Sequence, residues 1–218
     1  MAKINAIGNK SAELTIDPGA SGDSFVQFDI NGTGEFRIGV DDDDSDKFKI
    51  SAGSALGSSD TFVITASGEI TKPLQPAFLA IVTSQIDNVT GDNTTYAVAY
   101  DTEVFDVGGD FSSTTFIAPI TGKYLLTTII GFGDISSHTG ALAYFNTSNR
   151  NYLFMQTDPE AVDNSSDQYS TSCSMICDMD ASDTAVVQVN ISGGAKTVDM
   201  ISNGSTDPYN AFAGSLLV

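Results

Sequence analysis

The sequence predicts an all-β protein, a β-sandwich preceded by a small β-rich module. Three observations carry this. The chain is rich in Gly, Ser, Thr, Asn and Asp and shows no sustained helical periodicity of apolar residues. Apolar and polar residues alternate in stretch after stretch, as where Ala185, Val187, Val189 and Ile191 interleave with Gln188 and Asn190. Turn formers punctuate the stretches, among them Gly91-Asp92-Asn93, Ser148-Asn149-Arg150-Asn151, Gly193-Gly194 and Asn203-Gly204. With 218 residues, 41% of them hydrophobic, the chain has enough apolar side chain to build a core.

In chain order, residues 1–22 are short, mixed and weakly apolar, with Ile4, Ile7, Leu14 and Ile16 ahead of Pro18-Gly19. They read as an N-terminal attachment segment, either a poorly ordered tail or a part that docks into a partner. Residues 23–72 read as a stalk-like β-module. Val26, Phe28 and Ile30 alternate with Gln27 and Asp29, and a turn at Asn31-Gly32-Thr33-Gly34 leads to Phe36, Ile38 and Val40. After an acidic loop, Phe48 and Ile50 continue the alternation with Lys47 and Lys49 expected outward. Further strands follow at 61–65 and 69–71. A few short strands bury too little apolar surface alone, so identical copies are expected to supply the missing core. Lys72-Pro73-Leu74-Gln75-Pro76, with two prolines in five residues, reads as a stiff linker.

Residues 73–218 read as the sandwich, with strands near 77–84, 95–105, 114–118, 122–132, 140–146, 151–156, 169–178, 184–191, 196–201 and 211–217. The most informative run is Ala99 to Phe132. Gly108-Gly109 supplies a turn, Pro119 closes a short strand, and Lys123 to Phe132 is long enough to cross a whole sheet. Tyr124, Leu126, Ile130 and Phe132 share one face with Thr128, while Leu125 and Ile129 lie on the other. Apolar groups on both faces predict a central strand covered on both sides. Cys173 and Cys177 fall on one face of a strand, about 13 Å apart at ~3.3 Å per residue, too far for a disulfide. With Met175 and Met179 beside them they read as core residues.

Within this region a phrase runs from Tyr100-Asp101 through the glycine loop and Phe111 to Thr115-Phe116-Ile117-Ala118-Pro119-Ile120-Thr121-Gly122-Lys123-Tyr124. Pro76-Ala77-Phe78-Leu79-Ala80 stands before it, and Asn210 to Val218 closes the chain. In this order and spacing the three phrases resemble the globular head of complement component one-q, a jelly roll shared with tumour necrosis factor. The resemblance covers roughly the last two-thirds of the chain. It implies a trimeric jelly-roll β-sandwich, with Phe116, Tyr124, Phe212, Leu216 and Val218 packing in the core or about the three-fold axis. Residues 136–170 match that family by strand pattern alone. Phrases in the first module, such as Phe25-Val26-Gln27-Phe28 and Ile64-Thr65-Ala66-Ser67-Gly68-Glu69-Ile70, resemble the β-rich shaft repeats of bacteriophage fibres.

The formal net charge is −19, with nine Lys and Arg. Such a field keeps the chain soluble and disfavours nucleic acid and anionic membranes. No charged, apolar leader follows Met1 and no apolar run spans a bilayer, so assembly in a host cytoplasm without membrane insertion is expected. Asp41-Asp42-Asp43-Asp44-Ser45-Asp46 crowds carboxylates into one loop. Asp42, Asp44 and Asp46 are candidate Ca²⁺ ligands, against a plain solvated hairpin tip; the loop lacks the glycine and distal glutamate of an EF-hand. The single histidine, His138, sits in a Ser-Ser-His-Thr-Gly loop and reads as a turn residue. No nucleophile elbow or histidine cluster occurs, so no enzyme is predicted. Asn149, Arg150 and Tyr152 form an amphipathic tip suited to carbohydrate or protein contact, against an ordinary loop with a packed root.

Together these point to a homotrimeric virion protein of a bacterial virus, of head-fibre or tail-fibre type. Its N-terminal segment would join other virion proteins and its jelly-roll head would face the host. The rivals are a capsid decoration or cement protein of the same fold, and a bacterial carbohydrate- or protein-binding module.

Overall fold

The computed structural model describes residues 14–19, 21–32 and 35–218. The chain forms two compact units, the first ending at Leu74 and the second beginning at Gln75. Most of the segment read as an attachment arm, residues 1–13, lies outside the described residues; residues 14–19 carry no regular secondary structure.

The first unit is an antiparallel meander of β1 (Ser24–Asp29), β2 (Glu35–Asp41), β3 (Lys47–Ala52), β4 (Asp60–Ile64) and β5 (Ile70–Thr71), each strand paired with the next. Register places apolar residues in cross-strand rows on one face. Val26, Ile38, Ile50 and Phe62 form one row, Phe28, Phe36 and Ala52 a second, and Val40, Phe48, Ile64 and Ile70 a third. None of these side chains is buried, and Phe28 remains 59% exposed. The opposite face carries Asp41, Lys49, Ser51 and Val63, and all four are buried. Lys49 therefore does not point outward, as its alternation with Phe48 and Ile50 predicted. Ladder alternation was read correctly, but the buried face is the polar one. The loop after β3 closes over it: Leu56 is buried, and Gly57 lies so near Asp41 that a Cβ would come within 2.9 Å of its Oδ2.

The second unit is the expected double-sheet jelly roll. One sheet runs β10 (Phe111–Ser112), β11 (Thr115–Ile117), β16 (Thr184–Ser192), β13 (Gly140–Thr147) and β14 (Asn151–Thr157), with β8 (Thr95–Ala97) also on β16. The other is built on β12 (Gly122–Gly133), paired along its length with β15 (Gln168–Met179). The other edge of β12 is shared by β18 (Ala211–Leu216) and β17 (Val198–Met200), which continue to β6 (Ala77–Ile81) with β9 (Thr102–Val107) and to β7 (Ile86–Thr90). Adjacent strands such as β6 and β18 come from opposite ends of the unit, the signature of jelly-roll winding.

The core lies between the sheets. Phe78 stacks on Phe111 and Phe116 at 4.8 Å between centroids and meets Phe212 edge-on at 4.9 Å. Tyr124, Leu126, Ile130, Phe132, Phe145 and Val189 are all fully buried. Cys177 is buried, Cys173 half-buried, and both are free, as the spacing predicted. Burial pushes the Cys177 thiol up to about 11, so it stays protonated and inert at neutral pH.

Two expectations about strands are corrected. The run read as one strand at 95–105 is two, β8 in one sheet and β9 in the other, with 98–101 crossing between them. Val98 donates its N–H to Val187 in the first sheet, and Asp101 donates to Ile81 in the second. Strand β7, with the polar sequence Ile-Asp-Asn-Val-Thr, was not predicted, because only Val89 and Thr90 are buried.

Candidate functional site

The long strand β12 was expected to be covered on both faces. One face is covered, by the core. On the other, Ile129 is 42% exposed and Ile176, beside Leu125 on β15, is 58% exposed. Register extends this open face across five strands. One row joins Ile176, Leu125, Ser215, Ala77 and Val107, and the next joins Ser174, Thr127, Ala213, Leu79 and Phe105. Neither row carries a charged residue. A shallow concavity between Phe105, Leu125, Thr127 and Ala213 lies at its centre. In a chain of net charge −19, two adjoining uncharged rows stand out on this face, bordered by the row that pairs Lys123 with Asp178.

The residues predicted for core or axis packing separate into two groups. Phe116, Tyr124 and Phe212 are buried in the core of a single chain. The Tyr124 hydroxyl donates to the Ile120 carbonyl at 2.7 Å, which satisfies its polar end. Leu216 is partly buried against the same core. Val218 is 80% exposed, so it adds nothing to the core of one chain. Leu125 and Ile129 were read on the second face of β12 but expected to be covered, and Ile176 on β15 was not singled out.

β12 also needs help where its partner changes. At Gly131 neither β18 nor β17 pairs with it, and the buried side chain of Asn210 fills the gap. Its Oδ1 accepts the Gly131 N–H at 2.9 Å, and its Nδ2 donates to the carbonyls of Gly131 at 3.3 Å and Ile201 at 2.7 Å. Gly131 suits the place because a Cβ would meet Tyr209 at 2.9 Å.

The acidic loop finds its counter-charge in lysine. Lys49 Nζ lies 2.7 Å from Asp41 Oδ2, 2.6 Å from Asp44 Oδ2 and 3.1 Å from Asp60 Oδ2, and Lys47 Nζ is 2.8 Å from Asp44 Oδ1. Burial pulls the Lys49 ammonium down, but hydrogen bonds to the three carboxylates outweigh it and hold the amine above the ordinary lysine range. Lys47 and Lys49 hold Asp44 below the usual carboxylate value. Partial burial pushes Asp60 up, yet the Ser51 hydroxyl and Lys49 bring it below that value too. Of the candidate Ca²⁺ ligands, Asp44 is thus engaged by lysines, and Asp42 accepts the Gly22 N–H. Among the described residues no three His, Cys, Asp or Glu side chains are gathered for a metal ion.

The tip between β13 and β14 is exposed, and its donors are held by acids. Asn149 donates to Asp183 Oδ2 at 2.8 Å, Arg150 to Asp178 Oδ2 at 3.1 Å, and the Tyr152 hydroxyl lies 3.4 Å from Asp178 Oδ1. His138 lies in the loop before β13, as predicted, but inside the protein. It is fully buried, with Nε2 2.9 Å from the Ala195 carbonyl and the ring against Gly91 and Gly194. Its Nδ1 lies 3.5 Å from the Ser137 hydroxyl, and the two ring nitrogens together tie the loop before β13 to the one at Ala195.

No protein-family model matches the chain, and no curated protein matches it. Among solved structures it is similar to the globular domain of zebrafish complement 1qA protein, with 13% identity and a TM-score of 0.45 over 66% of this chain and 98% of that one. It is also similar to murine APRIL, with 14% identity and a TM-score of 0.44 over 66% of this chain and 99% of that one.

Proposed function

We propose that the chain is a homotrimeric structural protein of a bacterial virus particle, of head-fibre or tail-fibre type, and not an enzyme. The observation that carries the assembly is the open outer face of the β12 sheet, whose central rows around Leu125, Ile129 and Ile176 are free of charge. Copies of a chain this acidic repel one another across most of their surface. They meet at lowest electrostatic cost through those uncharged rows, and burial of the rows supplies the attraction.

The virion assignment draws on the resemblance of the first unit's phrases to fibre shafts. The N-terminal residues join other virion proteins of capsid or tail. The second unit is presented outward, and its loop tip at Asn149, Arg150 and Tyr152 meets host-surface carbohydrate or protein. Asp178 and Asp183 pre-orient the amide and guanidinium there, which lowers the ordering cost of a contact. Three tips on one assembly let weak contacts sum.

A second reading, a capsid decoration protein of the same fold, is favoured by the brevity of the first unit, whose five short strands leave little length for a fibre shaft. Immunogold labelling of intact particles with an antibody to this chain tests both. Label at a fibre tip supports attachment, label spread over the head lattice supports decoration, and unlabelled particles overturn the virion assignment.

A further inference from the structure

The first unit buries an ion pair and exposes hydrophobic side chains. Asp41 and Lys49 are covered by the loop after β3, with Asp60 partly buried beside them, while the three apolar rows on the other face stay open. Phe28, Phe36 and Ile70 are each more than half exposed. A sheet that had only to be soluble would be built the other way round.

We propose that this face packs against the same face of sister copies, so that the first unit is a second, separate assembly interface whose core forms only between chains. Three features choose that occupant. The rows carry no charge, so the face offers nothing to a charged partner and its self-contact brings no like charges together. The rows pair Phe28 with Phe36 and Val26 with Ile38, and three such faces turned toward a three-fold axis bring these rows together as a shared apolar centre.

The third feature is size. Five strands about 4.8 Å apart and roughly six residues long present a face of only about 450 Å². A stable free-standing interface needs about 800 Å² on each partner. The face is therefore too small to capture an untethered protein, and large enough for copies already held together elsewhere in the chain. That tether rests on the trimer proposed above, which raises the local concentration of one first unit for another.

The chain contains no tryptophan, so a single introduced indole reports on this face alone. Full-length Phe36→Trp and, separately, Phe28→Trp are measured by acrylamide quenching and by molar mass in solution, with circular dichroism to check strand content. A trimer mass with blue-shifted emission and a several-fold smaller quenching constant than free indole supports the proposal. A trimer mass with an indole quenched as freely as in solution overturns it and leaves the trimer of the second unit standing. A monomer mass overturns both readings; shielded emission in that monomer assigns the face to a segment of its own chain. Adding Ile129→Glu in the second unit is expected to release the copies and expose the indole. An indole still shielded in such a monomer contradicts the sister-copy contact.

Discussion

Lys49 shows how one residue can fix which side of a sheet is inside. Its buried ammonium satisfies the buried Asp41, the partly covered Asp60 and the more exposed Asp44, and removing it would leave the three carboxylates repelling one another. Lys49→Met is expected to destabilise the first unit by about 3–5 kcal/mol, measured by urea unfolding, because breaking a buried pair leaves uncompensated charge. The same cluster sets a pH dependence. Asp44 and Asp60 are held below the ordinary carboxylate value, so the stability they bring is complete above about pH 4 and drains away as pH falls through their lowered values. Acid titration followed by near-ultraviolet circular dichroism is expected to melt the wild type over that range. The Lys49→Met variant should lose only part of that dependence, because Lys47 still holds Asp44 and the Ser51 hydroxyl still holds Asp60. Asn210 is the counterpart in the second unit. Asn210→Ala strips the Gly131 N–H of its partner, leaves the Gly131 carbonyl with only the Ile201 N–H, and is expected to cost about 1–3 kcal/mol in thermal unfolding. Neither role was legible in the sequence, where Lys49 sits in an ordinary alternating pattern and Asn210 stands in a loop before a strand. Each partner set spans loops and strands that only the folded chain brings together.

Strands with strong two-residue periodicity were legible, because burial on one face leaves its mark at every second residue. β12, β13, β15 and β16 fall within one or two residues of their predicted bounds. β7 was not legible because only its end is buried, and the 95–105 run was misread as one strand because a chain crossing between sheets keeps an extended backbone throughout. The acidic loop showed its charge but not its partners. At this scale Gly39 is the sharpest test of the first unit. A Cβ there would lie 2.1 Å from the Ser24 carbonyl oxygen and 2.7 Å from Phe25 Cα, both across the β1–β2 ladder. Backbone cannot yield as a side-chain tip can, so Gly39→Val is expected to part β1 from β2 at a cost of about 1–3 kcal/mol. Hydrogen exchange should show lost protection in β1 and unchanged protection in β12.

For the whole molecule, the common feature is that each unit leaves apolar, uncharged rows open on one sheet face in a strongly acidic chain. The sequence showed apolar residues on both faces of β12, but among the described residues of the second unit none covers the second face, and the sequence could not tell a neighbouring layer from a neighbouring copy. Paired Ile129→Glu and Ile176→Glu substitutions place carboxylates at the centre of the second unit's face. They are expected to abolish association while leaving the strand signal in circular dichroism intact, since neither side chain reaches the core. The most direct test is the molar mass of the wild-type chain by sedimentation equilibrium across a wide dilution series. A species of three times the 22.8 kDa chain mass, persisting on dilution, is predicted. A well-folded single chain of 22.8 kDa at every concentration would contradict it.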